Sequence, residues 1–393
     1  MPDGKLRVGV VFGSRSVEHE VSIVTGLQVI AALDRAKYEP VPIYITKDGR
    51  WLVGEQLARI ESYKDLQLVS GAERALIGPE PGSGELILRD PGGLFRRRPK
   101  VEVDVVFPCV HGTYGEDGTL QGLFELAGIP YVGAGVVGSA VGMDKIVMKA
   151  VFRAVGLPVV KYAWFGRHRL EREADTVLDE VEGCLRYPLF VKPANLGSSV
   201  GISRAANRSD LRTALEVAAS YDRRLLVEEA VENAIEVNCS VLGNEDPMPS
   251  VLEQPVTWQE FLKYEDKYLS GGKGQGMKSA ARRIPAPLSP ELTRRIQSLA
   301  VEAFRAVDCA GIARIDFLVD EAADTVYVNE INTIPGSLSF YLWEPSGVSF
   351  PELVDRLIQL ALARQAERAK TTYSYDSSLL RKIAAGAKAG GKA

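Results

Sequence analysis

Apolar positions fall along this chain in two rhythms, short unbroken runs and longer stretches with an apolar residue every three or four places. The first rhythm predicts buried strands and the second amphipathic helices. Residues 6–12, Leu-Arg-Val-Gly-Val-Val-Phe, form one such run, closed by Gly13-Ser14 and followed by a helical stretch over 21–33. Residues 38–46 and 103–110 read as further strands. Strand, helix, strand in that order predicts a parallel α/β sheet, with ligands at the loops leaving the strands' carboxyl ends. Residues 81–98, rich in Gly, Pro and Arg, read as a surface excursion.

The pattern then changes to a mixture of helices and strands. A helix over 138–155, strands over 159–165 and 188–192, and a helix over 211–219 make a second unit. A third holds strands 236–242, 250–256, 311–319 and 325–331, with helices over 290–307 and 350–366. The expected division is residues 1–133, 134–228 and 229–374, with 375–393 a mobile tail that has nothing to bury. No internal repeat is evident.

A chain of 393 residues agrees with this division, at roughly 150 residues per domain. The 46% apolar and 25% charged fractions are those of a globular protein. Forty-seven basic against 51 acidic side chains give a net charge of −4, which supplies no general attraction to nucleic acid. No secretory signal and no apolar run of about 18 residues are present, so the expectation is a cytoplasmic protein without a membrane span. Cys109, Cys184, Cys239 and Cys309 lack metal-ligand spacing and read as buried thiols.

Gly133-Ala134-Gly135-Val136-Val137-Gly138 satisfies the dinucleotide-binding pattern G-x-G-x-x-G. Its context argues otherwise: only 130–132 could precede it as a strand, and no acid lies ~20 residues on to hold a ribose. A glycine turn leading into the helix that carries Lys145 is the better reading.

Arg314-Ile315-Asp316 and Glu330-Ile331-Asn332 lie on neighbouring strand-type runs joined by the polar turn 320–324. A hairpin about residue 322 brings Asp316 opposite Val328, one or two positions from Glu330, while Glu330 and Asn332 share a face. Two carboxylates and an amide oxygen suit magnesium, and two acids that close repel without a cation. By spacing alone, solvated strand-end residues are an equal alternative.

Lys192-Pro193-Ala194-Asn195-Leu196-Gly197-Ser198-Ser199-Val200-Gly201 follows the apolar run 188–191. Its glycine and serines let backbone N–H groups approach phosphate, and Lys192 adds a point charge, although such a turn is often an ordinary loop. Lys145 is a second phosphate candidate. Glu228 and Glu229 end a strand and Glu236 follows a short loop, acceptors suited to adenine and ribose or simply surface charges. There is no Ser-His-Asp or Cys-His pattern; His19 and His168 read as a helix-start and a solvated residue.

With Glu20, His111-Gly112-x-x-Gly115-Glu116-Asp117-Gly118, the lysine-glycine-serine loop and Arg314-x-Asp316…Glu330-x-Asn332-Thr333-x-Pro335-Gly336 in view, the chain resembles the D-alanine–D-alanine ligases of the ATP-grasp superfamily over residues 6–366. The resemblance implies an ATP-grasp fold, an N-terminal parallel α/β domain followed by two α+β subdomains that clamp ATP. It implies D-alanyl-D-alanine synthesis through a D-alanyl phosphate, for peptidoglycan precursors, by a cytoplasmic homodimer. Its ligands would be D-alanine, ATP and two magnesium ions, for which manganese substitutes. Lys145 and Lys192 would contact ATP phosphates beside Gly197, Ser198 and Ser199. Glu228, Glu229, Val231 and Glu236 would surround adenosine, and Asp316, Glu330 and Asn332 would hold the metal.

Residues 258–278 match the family's flexible loop, Tyr264-Glu265-Asp266-Lys267-Tyr268 being its signature, with Lys267 facing the nucleotide. The resemblance casts Glu20, Ser198 and Tyr268 as a hydrogen-bonded triad, Glu20 as the acceptor for the first substrate's ammonium, and His111 as a neighbour of its carboxylate. Arg314 and the Gly336 backbone N–H are candidate oxyanion donors. One departure concerns the second substrate. The run Ser337-Leu338-Ser339-Phe340-Tyr341-Leu342 places Tyr341 where many members carry serine, so Ser339 or the Tyr341 hydroxyl, beside Leu342, takes that carboxylate contact. The rivals are ligases that join D-alanine to D-lactate or D-serine, another ATP-grasp carboxylate-amine ligase, and a non-catalytic ATP-binding regulator.

Overall fold

The computed structural model describes residues 4–64, 69, 71–82, 84–88, 100–255, 282–374, 378 and 380. The loop expected at 258–278, with Tyr264, Glu265, Asp266, Lys267 and Tyr268, lies outside these residues, as does nearly all of the expected tail 375–393.

The first unit begins with β1 (Leu6–Gly13), α1 (His19–Ala32) and β2 (Tyr38–Ile45). It continues through β3 (Trp51–Val53), β4 (Glu73–Ile77), β5 (Glu85–Leu88), β6 (Lys100–Glu102) and β7 (Val105–Pro108) to α2 (Thr119–Ala127). The seven strands lie in the order β6-β5-β4-β3-β2-β1-β7. Only β1 with β2 and β1 with β7 run parallel; β2 to β6 pair antiparallel. The sheet is therefore mixed, and the expected surface excursion at 81–98 contains a strand, because short segments joined by tight returns can extend a sheet edge by hairpins. Val8, Val10, Val11 and Phe12 are wholly buried, and α1 lies so close that a Cβ on Gly26 would meet Phe12 at 2.6 Å.

Two helices follow, α3 (Val136–Met143) and α4 (Lys145–Ala154). The sequence predicted one helix here. Asp144 breaks it: its backbone is extended, and its side chain accepts from the N–H groups of Ile146 and Val147 at 3.1 Å, capping α4 so that Lys145 becomes its first residue. Gly138 packs against the backbone of Asp308 and Cys309, and Gly133 against Gly311. Close helix packing accounts for Gly138, and a left-handed backbone, φ 93°, for Gly133.

The second sheet, β10-β9-β11-β8, is antiparallel. It is built from β8 (Tyr162–Gly166), β9 (Leu189–Pro193), β10 (Ser203–Ala205) and β11 (Arg224–Glu229), with α5 (Arg167–Cys184) and α6 (Arg208–Tyr221) over one face. Their core includes Val177, Val181, Leu211 and Leu215 against Leu189, Val191, Leu225 and Val227. The sequence reading omitted α5, whose buried side chains are only Leu170, Val177, Leu178 and Val181 among charged residues. Cys184 at its end is exposed, not buried, while the other three thiols are buried.

The third sheet, β14-β13-β12-β15-β16, is antiparallel too. It comprises β12 (Ile235–Gly243), β13 (Met248–Pro255), β14 (Arg282–Arg283), β15 (Gly311–Asp320) and β16 (Thr325–Asn332). The 17-residue α7 (Pro290–Ala306), capped by Ser289, buries Ile296, Ala300, Ala303 and Phe304 against it. A short α8 (Phe340–Trp343) leads to α9 (Phe350–Arg368), which returns to the first unit's core through Leu353, Val354, Leu357 and Ile358. Among the described residues no helix is long and apolar enough to cross a membrane.

Candidate active site

The β15–β16 hairpin carries the densest chemistry. Asp316 pairs with Glu330 and Arg314 with Asn332, and the register then slips so that Phe317 faces Val328. The expected Asp316–Val328 pairing is thus corrected: Asn329 is an extra residue on β16, a bulge that brings the two carboxylates directly across from each other. Arg314 grips Asp316 in a fork, Nε to Oδ1 at 2.6 Å and Nη2 to Oδ2 at 2.7 Å, and Asn332 Nδ2 donates to Oδ2 at 3.1 Å. Burial lowers the Arg314 pKa, but Asp316 more than offsets it and holds the guanidinium well above its ordinary value.

Among the described residues, no three His, Cys, Asp or Glu side chains gather as a metal site. On this hairpin the Asn332 side chain stands beside the Asp316 and Glu330 carboxylates. Two carboxylates and an amide form a hard-oxygen set that suits magnesium completed by phosphate and water.

The lysines approach from the middle unit. Lys145 Nζ lies 3.6 Å from a Glu330 oxygen and donates to the Leu196 carbonyl at 2.9 Å, in the phosphate-type loop. Lys192 Nζ lies 2.5 Å from Glu228 and 3.4 Å from Asn329 Oδ1 on the bulge. Burial would push Glu228 up, yet the ammonium groups of Lys149 (2.6 Å away) and Lys192 bring its carboxyl down to about 2. Glu228, expected beside adenosine, thus has both oxygens ion-paired to lysines. Glu229 points elsewhere, accepting from the Arg186 N–H at 3.0 Å. Glu236 keeps its field on Lys192, whose pKa is lowered by burial but raised overall by Glu228, Glu330 and Glu236. Val231 lies just beyond the end of β11.

The loop between β9 and β10 turns through two left-handed residues, Ser198 at φ 52° and Ser199 at φ 58°. Ser198 Oγ donates to Glu18 Oε1, a bond from the second unit to the first. Glu18 is only 7% exposed and sits where Cβ atoms on Gly112 and Gly197 would fall 2.6 and 2.8 Å from its Oε2. The glycines make room for the carboxylate. Glu20, the residue expected here, is exposed and bonds Lys47 at 2.5 Å. Glu18 precedes α1 and Glu20 lies in its first turn, and of the two only Glu18 is buried.

Both ring nitrogens of His111, expected beside the first substrate's carboxylate, are hydrogen-bonded within the protein. Nδ1 bonds the Ile334 carbonyl at 2.7 Å and Nε2 bonds Thr25 Oγ1 at 2.8 Å. Burial pushes its pKa down, so the ring is neutral, with Nδ1 as donor. Glu116 accepts from the N–H groups of Gly112 at 2.8 Å and Ile334 at 2.9 Å, and burial, with Glu18 adding repulsion, raises its carboxyl to about 8. Thr25 also accepts from the Ser337 N–H at 3.2 Å. His111, Glu116 and Thr25 together fasten the chain that leaves the metal-type hairpin.

That chain is strained. Ser337, Leu338 and Ser339 in succession adopt φ of 49°, 54° and 49° after Gly336. Ser339 is buried, Tyr341 is buried beneath Arg282, whose guanidinium lies 4.0 Å over its ring, and Leu342 is core. Burial raises the Tyr341 pKa and keeps the phenol neutral. Arg282 lies 3.2 Å from Glu253, which in turn is 3.4 Å from Asn238 Nδ2.

Sequence reasoning missed Glu18, Glu116 and Lys149. Glu18 stands in the same Glu-His-Glu as Glu20, and Glu116 in the quoted His-Gly-x-x-Gly-Glu run, so the motif held the signal but the burial that selects between residues did not show. Lys149 lies one helical turn after Lys145, the only cue available.

Two family models and several known proteins match most of this chain. The family model "D-ala D-ala ligase N-terminus" matches residues 7–134 and "D-ala D-ala ligase C-terminus" matches residues 151–359. A D-alanine–D-alanine ligase of Natranaerobius thermophilus is 43% identical over 378 residues, covering 95% of this chain and 100% of its own. The solved D-alanine–D-alanine ligase of Coxiella burnetii superposes with TM-score 0.78 at 34% identity, over 98% of this chain and 99% of that one. The VanG D-Ala:D-Ser ligase of Enterococcus faecalis does so with TM-score 0.76 at 30% identity, over 91% and 99%.

Proposed function

The chain belongs to the D-alanine–D-alanine ligase family, of ATP-grasp fold, and from that premise we propose how its own residues carry out the reaction. It is an ATP-dependent ligase that joins two D-alanines into D-alanyl-D-alanine for peptidoglycan precursors, and its small-molecule substrates are ATP and D-alanine. One observation carries the assignment of roles: Lys145, from the unit with the phosphate-type loop, lies 3.6 Å from Glu330 on the hairpin with the metal-type oxygens.

A carboxylate repels nucleophiles and has no usable leaving group, so it must be activated. Lys145, Lys192 and the backbone of 197–199 hold the ATP phosphates while the γ-phosphoryl passes to the first D-alanine, giving an acyl phosphate. Asp316, Glu330 and Asn332 would hold two magnesium ions, or manganese in their place, which when bound neutralise charge on the phosphate oxygens. Glu18, positioned by Ser198, receives the first substrate's ammonium. The neutral amine of the second D-alanine attacks, Arg314 and the Gly336 N–H stabilise the oxyanion, and phosphate leaves. Tyr341 and Ser339, beside Leu342, meet the second carboxylate; their buried hydroxyls support this reading. Family resemblance alone supports a homodimer, and dependence on ATP supports a cytoplasmic setting.

Phosphate release from ATP, measured across D-alanine, D-serine, D-lactate and L-alanine, tests the assignment. D-Alanine is expected to give the fastest release and the dipeptide as product. A second reading, a D-serine acceptor, is favoured only by the likeness to the VanG D-Ala:D-Ser ligase. Release that ignores D-amino acids would overturn both readings.

A further inference from the structure

Outside this cleft, a cavity of about 760 Å3 opens on the middle unit where β8 runs into α5, lined in part by Trp164, Arg167, His168, Arg169, Arg223 and Arg224. That volume is within the range of small-molecule sites. None of the residues given a role above lines it.

Its charges are unevenly satisfied. Arg169 is neutralised by Glu173 at 2.6 Å and Glu180 at 2.8 Å. Among the described residues Arg167 has only the Ala219 carbonyl at 3.1 Å and a distant, exposed Glu171 at 3.9 Å. Arg223 is exposed, with no ion pair to its side chain among the described residues. Arg224 bonds Asp144 through Nη2, but its buried Nε has no hydrogen-bond partner among the described residues. Beside these guanidinium groups Trp164 is 52% exposed, an open aromatic face on a sheet edge.

Guanidinium forks match phosphate oxygens, and an open indole matches a planar ring. We propose that this cavity is a second binding site, for a nucleotide, with its phosphates on Arg167, Arg223 and Arg224 and its base on Trp164. Simple inorganic anions would satisfy the arginines but leave the indole uncovered. The site is wired to the active cleft. Arg224 holds Asp144, the cap that makes Lys145 the first residue of α4, and its carbonyl accepts from Ala194 N–H at 3.1 Å, next to the phosphate loop. A phosphate that competes for Arg224 loosens the cap behind Lys145.

Calorimetric titration of the full chain with ADP and magnesium tests this. Wild type is expected to bind ADP at two sites, the weaker accompanied by quenching of tryptophan fluorescence. The Arg167→Glu/Arg223→Glu variant should lose the weaker site by at least tenfold while keeping the stronger one and its ligase rate, and Trp164→Leu should lose the quench. A single site in wild type, or a weaker site that survives the charge reversal, overturns the proposal. The titration reads binding, so it stands apart from the ligase assay: absence of D-alanine-dependent phosphate release would fail the functional reading without altering the ADP stoichiometry.

Discussion

Ser198 and Glu18, 180 residues apart in sequence, share a hydrogen bond in a space that Gly112 and Gly197 leave open. The bond ties the phosphate-type loop to the first unit, so a charge-assisted contact holds the two sides of the cleft in register. Glu18→Ala should cost 10- to 100-fold in kcat/KM, on the order of 1.5–3 kcal/mol for a hydrogen bond to a charged group. Glu20→Ala, whose only marked partner is the exposed Lys47, should change kcat/KM by less than about threefold. Steady-state kinetics of the pair decide it; a larger loss in Glu20→Ala would return the role to that residue.

The same space can be closed from the other side. Gly197→Ala places a Cβ 2.8 Å from a Glu18 oxygen, too near for either to stay. The expected result is a rise in KM for the first D-alanine of about tenfold, with little change in thermal midpoint, since the strain falls on a surface loop. An unchanged KM would mean that Glu18 has room to withdraw.

Arg314 grips Asp316 and is the proposed oxyanion donor. Arg314→Ala should lower turnover at least a hundredfold, about 3 kcal/mol of barrier. Arg314→Lys should recover little, because an ammonium cannot reproduce the fork on the carboxylate. Turnover within tenfold of wild type in the alanine variant removes Arg314 from the mechanism.

Glu228 links pH to stability. Its carboxyl is brought from 4.5 to about 2 by the two lysines, so its contribution is present above about pH 4.5 and fades as pH falls from there toward 2. The size at neutral pH is about 3 kcal/mol for this wholly buried group. Urea unfolding of wild type and Glu228→Gln from pH 6 to pH 3 should show a gap of that order that narrows below pH 4.5. A gap that stays constant to pH 3 would contradict the ion-pair account.

Chelation should stop turnover, with magnesium or manganese restoring it. Asp316→Asn keeps shape but removes one charge from the hairpin and should raise the magnesium needed for half-maximal rate by on the order of tenfold or more. A variant that responds to magnesium like wild type would place the ion elsewhere.

The metal-type residues were legible because strand geometry is periodic: Glu330 and Asn332 must share a face, whatever the fold. Their pairing with Asp316 was not, since one inserted residue at Asn329 shifts the register by an amount that no pattern records. Glu18 and Glu20 are equally acidic and nearly adjacent; what separates them is the space that Gly112 and Gly197, from distant segments, leave for the Glu18 carboxylate. Likewise nothing in the sequence pairs His111 with Thr25 and Ile334, which occupy its two nitrogens from distant segments. Helix α5 escaped notice because its apolar stripe is thin, whereas Pro290–Ala306, with its serine cap and regular apolar spacing, declared itself.

The account turns on activation of the first D-alanine's carboxylate by the γ-phosphoryl group, and isotope transfer tests that step directly. With D-alanine labelled by oxygen-18 in its carboxylate, each phosphate released should carry one labelled oxygen, drawn through the acyl phosphate. Phosphate released without label during dipeptide formation would contradict the mechanism outright.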